Sequence, residues 1–193
     1  MHDGQTYGVV IGVVCDLEDP LGLGRVKVEY PDLDQQRSHW ARLVTPMAGP
    51  RRGAFFRPEV KDEVAVIFER GEIRNPLVLG GLWNQPDPPP PDDGKPKENN
   101  WRFVRSRSGH VLRFDDTGGK ERVELIDKDG SRKLVLDSSG RKVQVICEAG
   151  DIEVKAGGSV TVEAATITIK ASGSLTIEAG GSVTIKGATV AIN

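Results

Sequence analysis

Histidine, cysteine and aromatic side chains are scarce: three His, two Cys and 5% aromatics in 193 residues. His2, His39 and His110 are too scattered to form a metal-ligand set. Cys15 and Cys147 lie far apart within apparent strands and show no metal-type spacing, which predicts two buried thiols rather than a disulfide. There is no basic block and the formal net charge is -2, so nothing draws the chain to nucleic acid or to an anionic membrane. Few aromatics also means few platforms for stacking bases. No stretch has sustained helical periodicity. Residues 1 to 8 are polar and the apolar run Val9 to Val14 is too short for a span, so neither signal peptide nor membrane helix is expected and synthesis is expected in the cytosol.

What the chain has is glycine, proline, valine and threonine, with 23 Gly and 12 Pro, and this composition reads as all-β. The last fifty residues repeat a paired apolar step every seven to nine positions: Val143/Val145, Ile152/Val154, Val160/Val162, Ile167/Ile169, Leu175/Ile177, Val183/Ile185 and Val190/Ile192. Residues two apart on a strand share a face, so each pair predicts one short β-strand with Thr or Glu pointing outward between its members. Small residues such as Ala156-Gly157-Gly158-Ser159 and Ala179-Gly180-Gly181-Ser182 fill the corners, and the fixed period reads as a β-solenoid.

The period limits how that solenoid closes. A single-chain coil needs roughly 18 to 25 residues to surround a filled core, and one unit supplies a third of that. Three chains contributing one unit per layer would meet on a common axis, which predicts an intertwined homotrimeric needle with all seven pairs as its core. A monomeric solenoid would have only two to three coils, few for a stable repeat fold. Outward residues alternate as Lys155, Glu163, Lys170, Glu178 and Lys186, which lets stacked strands set opposite charges side by side.

Ahead of the needle the pattern predicts three segments. Residues 1–84 form a small domain with strands at Tyr7–Cys15, Gly24–Tyr30, Trp40–Val44, Glu63–Phe68 and Leu77–Leu82, suited to a Greek-key barrel of the OB type. Residues 85–100, with Pro88 to Pro91, are a stiff linker. From residue 101 strands resume with wider spacing, a broad neck over 101–142 that narrows to the octads of 143–193.

Other motifs are better read as structure. Gly22-Leu23-Gly24 has Lys27 where a dinucleotide loop needs its third glycine, and reads as a turn. Asp127-Lys128-Asp129-Gly130 begins like a calcium loop but lacks the remaining ligands, and reads as a hairpin turn. Asp32, Asp34, Glu59, Asp62 and Glu63 would need to face one another across a cleft to hydrolyse a glycoside, and read as solvated faces and turns. No catalytic residue, cofactor or metal site is expected.

Gly24-Arg25-Val26-Lys27-Val28, Trp40-Ala41-Arg42-Leu43-Val44, the run from Phe55-Phe56-Arg57-Pro58-Glu59-Val60-Lys61-Asp62-Glu63-Val64 through Gly71, and Asn75-Pro76-Leu77-Val78-Leu79-Gly80-Gly81-Leu82-Trp83-Asn84 resemble the OB domain of the valine-glycine repeat spike proteins of type VI secretion and of phage baseplate assembly protein V. With Ser106 to Thr117 and the repeat region, the resemblance covers nearly the whole chain. It implies a structural, membrane-piercing central spike in the baseplate of a contractile tail or phage tail-like particle, crossing the target envelope when the sheath fires. It further implies a hub protein at the OB end and a cone-shaped proline-alanine-alanine-arginine repeat protein seated on Ala188, Thr189, Val190, Ala191, Ile192 and Asn193. Arg51 and Arg52, in the loop before Phe55, are candidates for contact with that hub or a neighbouring barrel, against an ordinary solvated loop.

Three features depart from the family. The barrel begins within the first ten residues, so the hub is expected to be a separate polypeptide or to have been removed. Residues 85–100 are too short for the lysozyme domain of some phage spikes. No histidine follows His110 to bind iron at the tip. The competing reading is an OB binding module joined to a monomeric solenoid that binds or processes polysaccharide, which would need a long acid-lined groove.

Overall fold

The computed structural model describes residues 6–31, 36–93 and 95–192. His2, Asp32, Asp34 and Asn193 lie outside the described residues. The chain divides into two compact units, Met1–Ile146 and Cys147–Asn193. Among the described residues all regular structure is β apart from one 3-10 turn at Glu69–Gly71, in keeping with the all-β expectation.

The first unit opens with β1 (Val10–Asp16), β2 (Lys27–Tyr30), β3 (Gln36–Arg37), β4 (Arg42–Leu43), β5 (Ala48–Gly49), β6 (Arg52–Gly53), β7 (Glu63–Phe68) and β8 (Pro76–Leu82). β1 pairs antiparallel with β2 on one side and β7 on the other, β7 pairs with β8, and β8 pairs in parallel with β4. The circuit closes where Val26 and Ala41, just ahead of β2 and β4, exchange backbone hydrogen bonds of 3.0 and 2.7 Å. A sheet that returns on itself in this order, with one parallel pair, is a small barrel of the OB type. Closure needs strong curl, and two bulges accompany it: Cys15 is the extra residue on β1 and Leu79 the extra residue on β8.

Period-two alternation fills this barrel. In β7 Val64, Val66 and Phe68 are buried and their neighbours are not, and in β2 Val28 and Tyr30 are buried. They pack with Val14, Val26, Ala41 and Val78 into one core, where the Tyr30 and Phe68 rings meet edge to face at 5.8 Å. Burial pushes the Tyr30 phenol up to about 12, against the pull of the Ser38 hydroxyl. Gly12 is buried inside β1, and a Cβ there would run into Val28 Cγ1 and lie 3.1 Å from Tyr30 Cδ1. Cys15 and Cys147 are free and half-buried, where the sequence predicted buried thiols.

No strand lies among the described residues from 85 to 100. Beyond them β9 (Trp101–Arg105), β10 (Val111–Asp115), β11 (Arg122–Ile126), β12 (Arg132–Asp137) and β13 (Lys142–Cys147) form a five-stranded meander in sequence order. Val143 and Val145, read as the first needle pair, belong to the last strand of this sheet, so the meander reaches further along the chain than the predicted neck. Asp127 to Gly130 is the β11–β12 turn, its Asp127 carboxylate accepting from Arg132 Nε at 2.7 Å.

The second unit follows the octads in a different way from that expected. Its backbone bends at 157–158, 165, 172–173, 180–181 and 188, the small-residue corners between apolar pairs. The segments between the corners carry no ladder within the chain, so no strand is formed there among the described residues. A strand is completed by hydrogen bonds to a neighbour, and here one chain offers none.

Candidate functional site

The meander has two unlike faces. On one, Phe103, Arg113, Glu124 and Val135 stand in register across four strands beside Trp101, Asp115, Arg122 and Asp137. Charges on this face are paired across strands. Arg113 grips Glu124, with its Nε 2.7 Å from Oε2, and its guanidinium lies 4.0 Å from the Trp101 ring centre. Arg122 reaches Asp115 at 3.2 Å and Glu124 at 3.4 Å. Burial pushes the Asp115 carboxyl up, but hydrogen bonds from Thr117 and the charge of Arg122 outweigh it and leave its pKa lowered. Asp115 and Glu124 are buried as a result.

The other face is apolar and uncovered. Val104, Leu112, Leu125 and Leu134 form one row across β9 to β12, and Phe114, Val123 and Leu136 continue a second row that Arg102 begins. Leu125 is 55% exposed and Phe114 49%. A sheet normally buries its apolar face and wets its charged one, and here that polarity is reversed. The octad residues extend the same condition: Val143, Val145, Ile152, Val154, Val160, Val162, Ile167, Ile169, Leu175, Ile177, Val183, Ile185, Val190 and Ile192 range from 50% to 88% exposed. Ala188 to Ile192 are likewise exposed.

The barrel offers a different surface. β5 and β6 form a hairpin closed by Pro50-Arg51, with Arg51 in the left-handed region at φ 55°. Arg51 and Arg52, singled out from sequence, are exposed on this hairpin. Beneath it runs a groove of about 640 Å³ lined by Leu23, Val44, Met47, Phe55, Phe56 and four arginines. The hairpin and groove are not read from the sequence; the Gly49-Pro50 and Arg52-Gly53 steps were their only signal. One wall rests on Asp19, whose buried carboxylate accepts from the Leu21, Leu23 and Arg25 backbone N–H groups and from Arg25 Nε at 3.0 Å. The hydrogen bond from the Arg25 guanidinium holds Asp19 well below the usual carboxylate range. Gly22 and Gly24 have φ of +63° and +73° in this turn, which is what the glycines there supply.

Asp62 accepts the Glu59 N–H at 2.8 Å and Glu63 accepts from Asn84 at 3.2 Å, so these carboxylates serve local structure. Glu59 also meets Arg107 at 3.1 Å. Among the described residues no helix is long and apolar enough to cross a membrane.

Residues 10–83 match the family described as type VI secretion system/phage-baseplate injector OB domain. Over a wider span the chain is 28% identical to the actin cross-linking toxin VgrG1 of Vibrio cholerae, a match covering 85% of this chain and 17% of that protein. It is 26% identical to the type VI secretion system spike protein VgrG3 of Vibrio cholerae, over 64% of this chain and 13% of that protein. It is also 27% identical to the type VI secretion system spike protein VgrG2a of Pseudomonas aeruginosa, over 69% and 17% respectively. The chain thus spans less than a fifth of the length of these relatives. The barrel circuit and the family match coincide: residues 10–83 are similar to the injector OB domain of type VI secretion systems and phage baseplates, and the likeness to spike proteins runs on into the later strands.

Proposed function

We propose that three copies of this chain form the central spike of a contractile injection system, with the apolar face of each meander and the octad pairs of each tail turned to a common axis. The observation that carries this reading is the pair of registered apolar rows across β9 to β12, left uncovered by a sheet whose opposite face is sealed with ion pairs. Val162, Ile169 and their neighbours continue the requirement along the tail. At about 1.5 to 3 kcal/mol for each large apolar side chain fully buried, the six pairs from Ile152 to Ile192 supply tens of kcal/mol gross per trimer. Ordering entropy offsets much of that, yet no layer opens without parting three chains, so dissociation is slow.

The role is mechanical. Contraction elsewhere supplies the energy, and the chain contributes a stiff shaft with two docking ends: a hub at the barrel and a cone-shaped tip protein on Ala188 to Asn193. No catalytic step is assigned to it. The particle carries the spike across the target envelope as it fires.

A thiol placed on the axis tests the arrangement. With Cys15 and Cys147 replaced by Ser, Ile169→Cys brings three thiols together, and mild oxidation is expected to yield disulfide-linked dimers with one chain left over. Chains that stay single after oxidation would contradict an axial Ile169.

A further inference from the structure

The barrel groove is lined by Arg25, Arg42, Arg51 and Arg52 and by no carboxylate, in a chain whose formal net charge is -2. Two of these arginines are already engaged, Arg25 with Asp19 at 2.6 Å and Arg42 with Glu69 at 3.2 Å. Arg52 folds back over Gly49, where a Cβ would stand 3.0 Å from its Nε, and Arg51 stands at the hairpin tip. Between the guanidinium groups the floor is apolar, with Leu23, Met47, Phe55 and Phe56 more than half exposed. A volume of about 640 Å³ is enough to seat several side chains of a partner.

We infer that this groove receives an extended acidic protein segment, its apolar side chains resting on Met47, Phe55 and Phe56 and its carboxylates meeting Arg51 and Arg52. This rests on reading the barrel as a docking end of the spike. The aliphatic share of the lining favours a peptide over single-stranded nucleic acid, which takes a continuous basic track with stacking rings. Arg51 also offers a variant that spares the fold. It holds the left-handed conformation at the second central position of its turn, where glycine has no steric cost.

That conformation yields a clean test. Arg51→Gly removes the guanidinium and relieves the backbone, so the melting temperature is expected to hold or rise. In the full chain, a fluorescein-labelled peptide of repeated Glu-Leu-Asp-Phe is followed by anisotropy, beside a Lys-Leu-Arg-Phe counterpart and a labelled oligo-dT strand. The acidic peptide is expected to bind, more weakly at high salt, and to bind about five- to tenfold more weakly to Arg51→Gly and to Arg52→Ser. The basic peptide is expected not to bind. Failure of the acidic peptide to bind, equal binding of both peptides, or unchanged affinity in the two variants would overturn the assignment. Tighter binding of oligo-dT, lost in the same variants, would overturn it in favour of nucleic acid. Thiol coupling at Ile169→Cys is unaffected by these changes, so failure of the groove and failure of the spike reading give different results.

Discussion

Val28 in the barrel and Val162 in the tail have the same side chain, yet Val28 is 0% exposed and Val162 is 69% exposed. The barrel completes its own core: β1, β2, β7, β8 and the β4 segment surround their valines and the sheet closes on itself. The tail has equally apolar pairs and well-placed corners, but an octad is too short for one chain to wrap around them. The meander stands between the two. It makes its own ladder and seals its charged face, while its apolar face stays open. The barrel thus folds within one chain, and the proposed spike assigns the octads to folding between chains because the repeat is short.

The separation can be broken from either side. The largest effect is expected for Val162→Asp combined with Ile169→Asp, which sets six carboxylates on the proposed axis. Isolated buried charges cost several kcal/mol each after relaxation, so the variant should run as a monomer on a sizing column while its barrel still melts cooperatively. Phe114→Asp applies the same test to the meander. It should loosen the trimer without touching the Arg113–Glu124 pairing on the opposite face.

A smaller effect is expected when the barrel alone is perturbed. Gly12→Ala drives a methyl group into Val28, a cost of about 1–3 kcal/mol for overpacking. Its thermal transition should fall by several degrees in a chain that keeps its trimeric mass. Loss of the trimer in Gly12→Ala would mean that barrel and shaft fold as one cooperative unit.

Asp19 sharpens the comparison through pH. Its carboxyl is held below its ordinary value of 3.8, so its ionised form is favoured by folding. The stability it confers is fully present above that value and is lost as pH falls through the lower folded value. Asp19→Asn should therefore lower the barrel's melting temperature at neutral pH, with the gap to the parent chain narrowing as the medium is acidified below 3.8. A gap that stays constant with pH would contradict the Asp19–Arg25 account. The smallest effect is expected for Lys170→Glu, an exposed outward charge worth a few tenths of a kcal/mol at most, which should leave the trimer intact.

The barrel strands are legible because alternation sets inside against outside: Glu63–Phe68 is found with the bounds read from its valines, and β1, β2 and β8 differ from expectation only at their ends. The β5–β6 hairpin is not legible because two-residue strands carry no period, and its arginines read equally as a hub contact and as a solvated loop. In the meander the strands are visible in Val111 to Phe114 and Leu134 to Leu136, but the inverted burial is not. Arg113 and Glu124 look like solvated charges until the register places them opposite each other beneath Trp101. The octads show the converse case: their corners are found where glycine and alanine predict them, while no ladder joins the segments between them among the described residues.

Solution mass is the most direct test of the shared axis. Light scattering on a sizing column, followed by electrophoresis of the same sample in SDS without heating, should give three chains of 20.9 kDa, about 63 kDa, with the band persisting in the cold. A single-chain mass of 20.9 kDa would contradict the account and return the octads to a solenoid built by one chain.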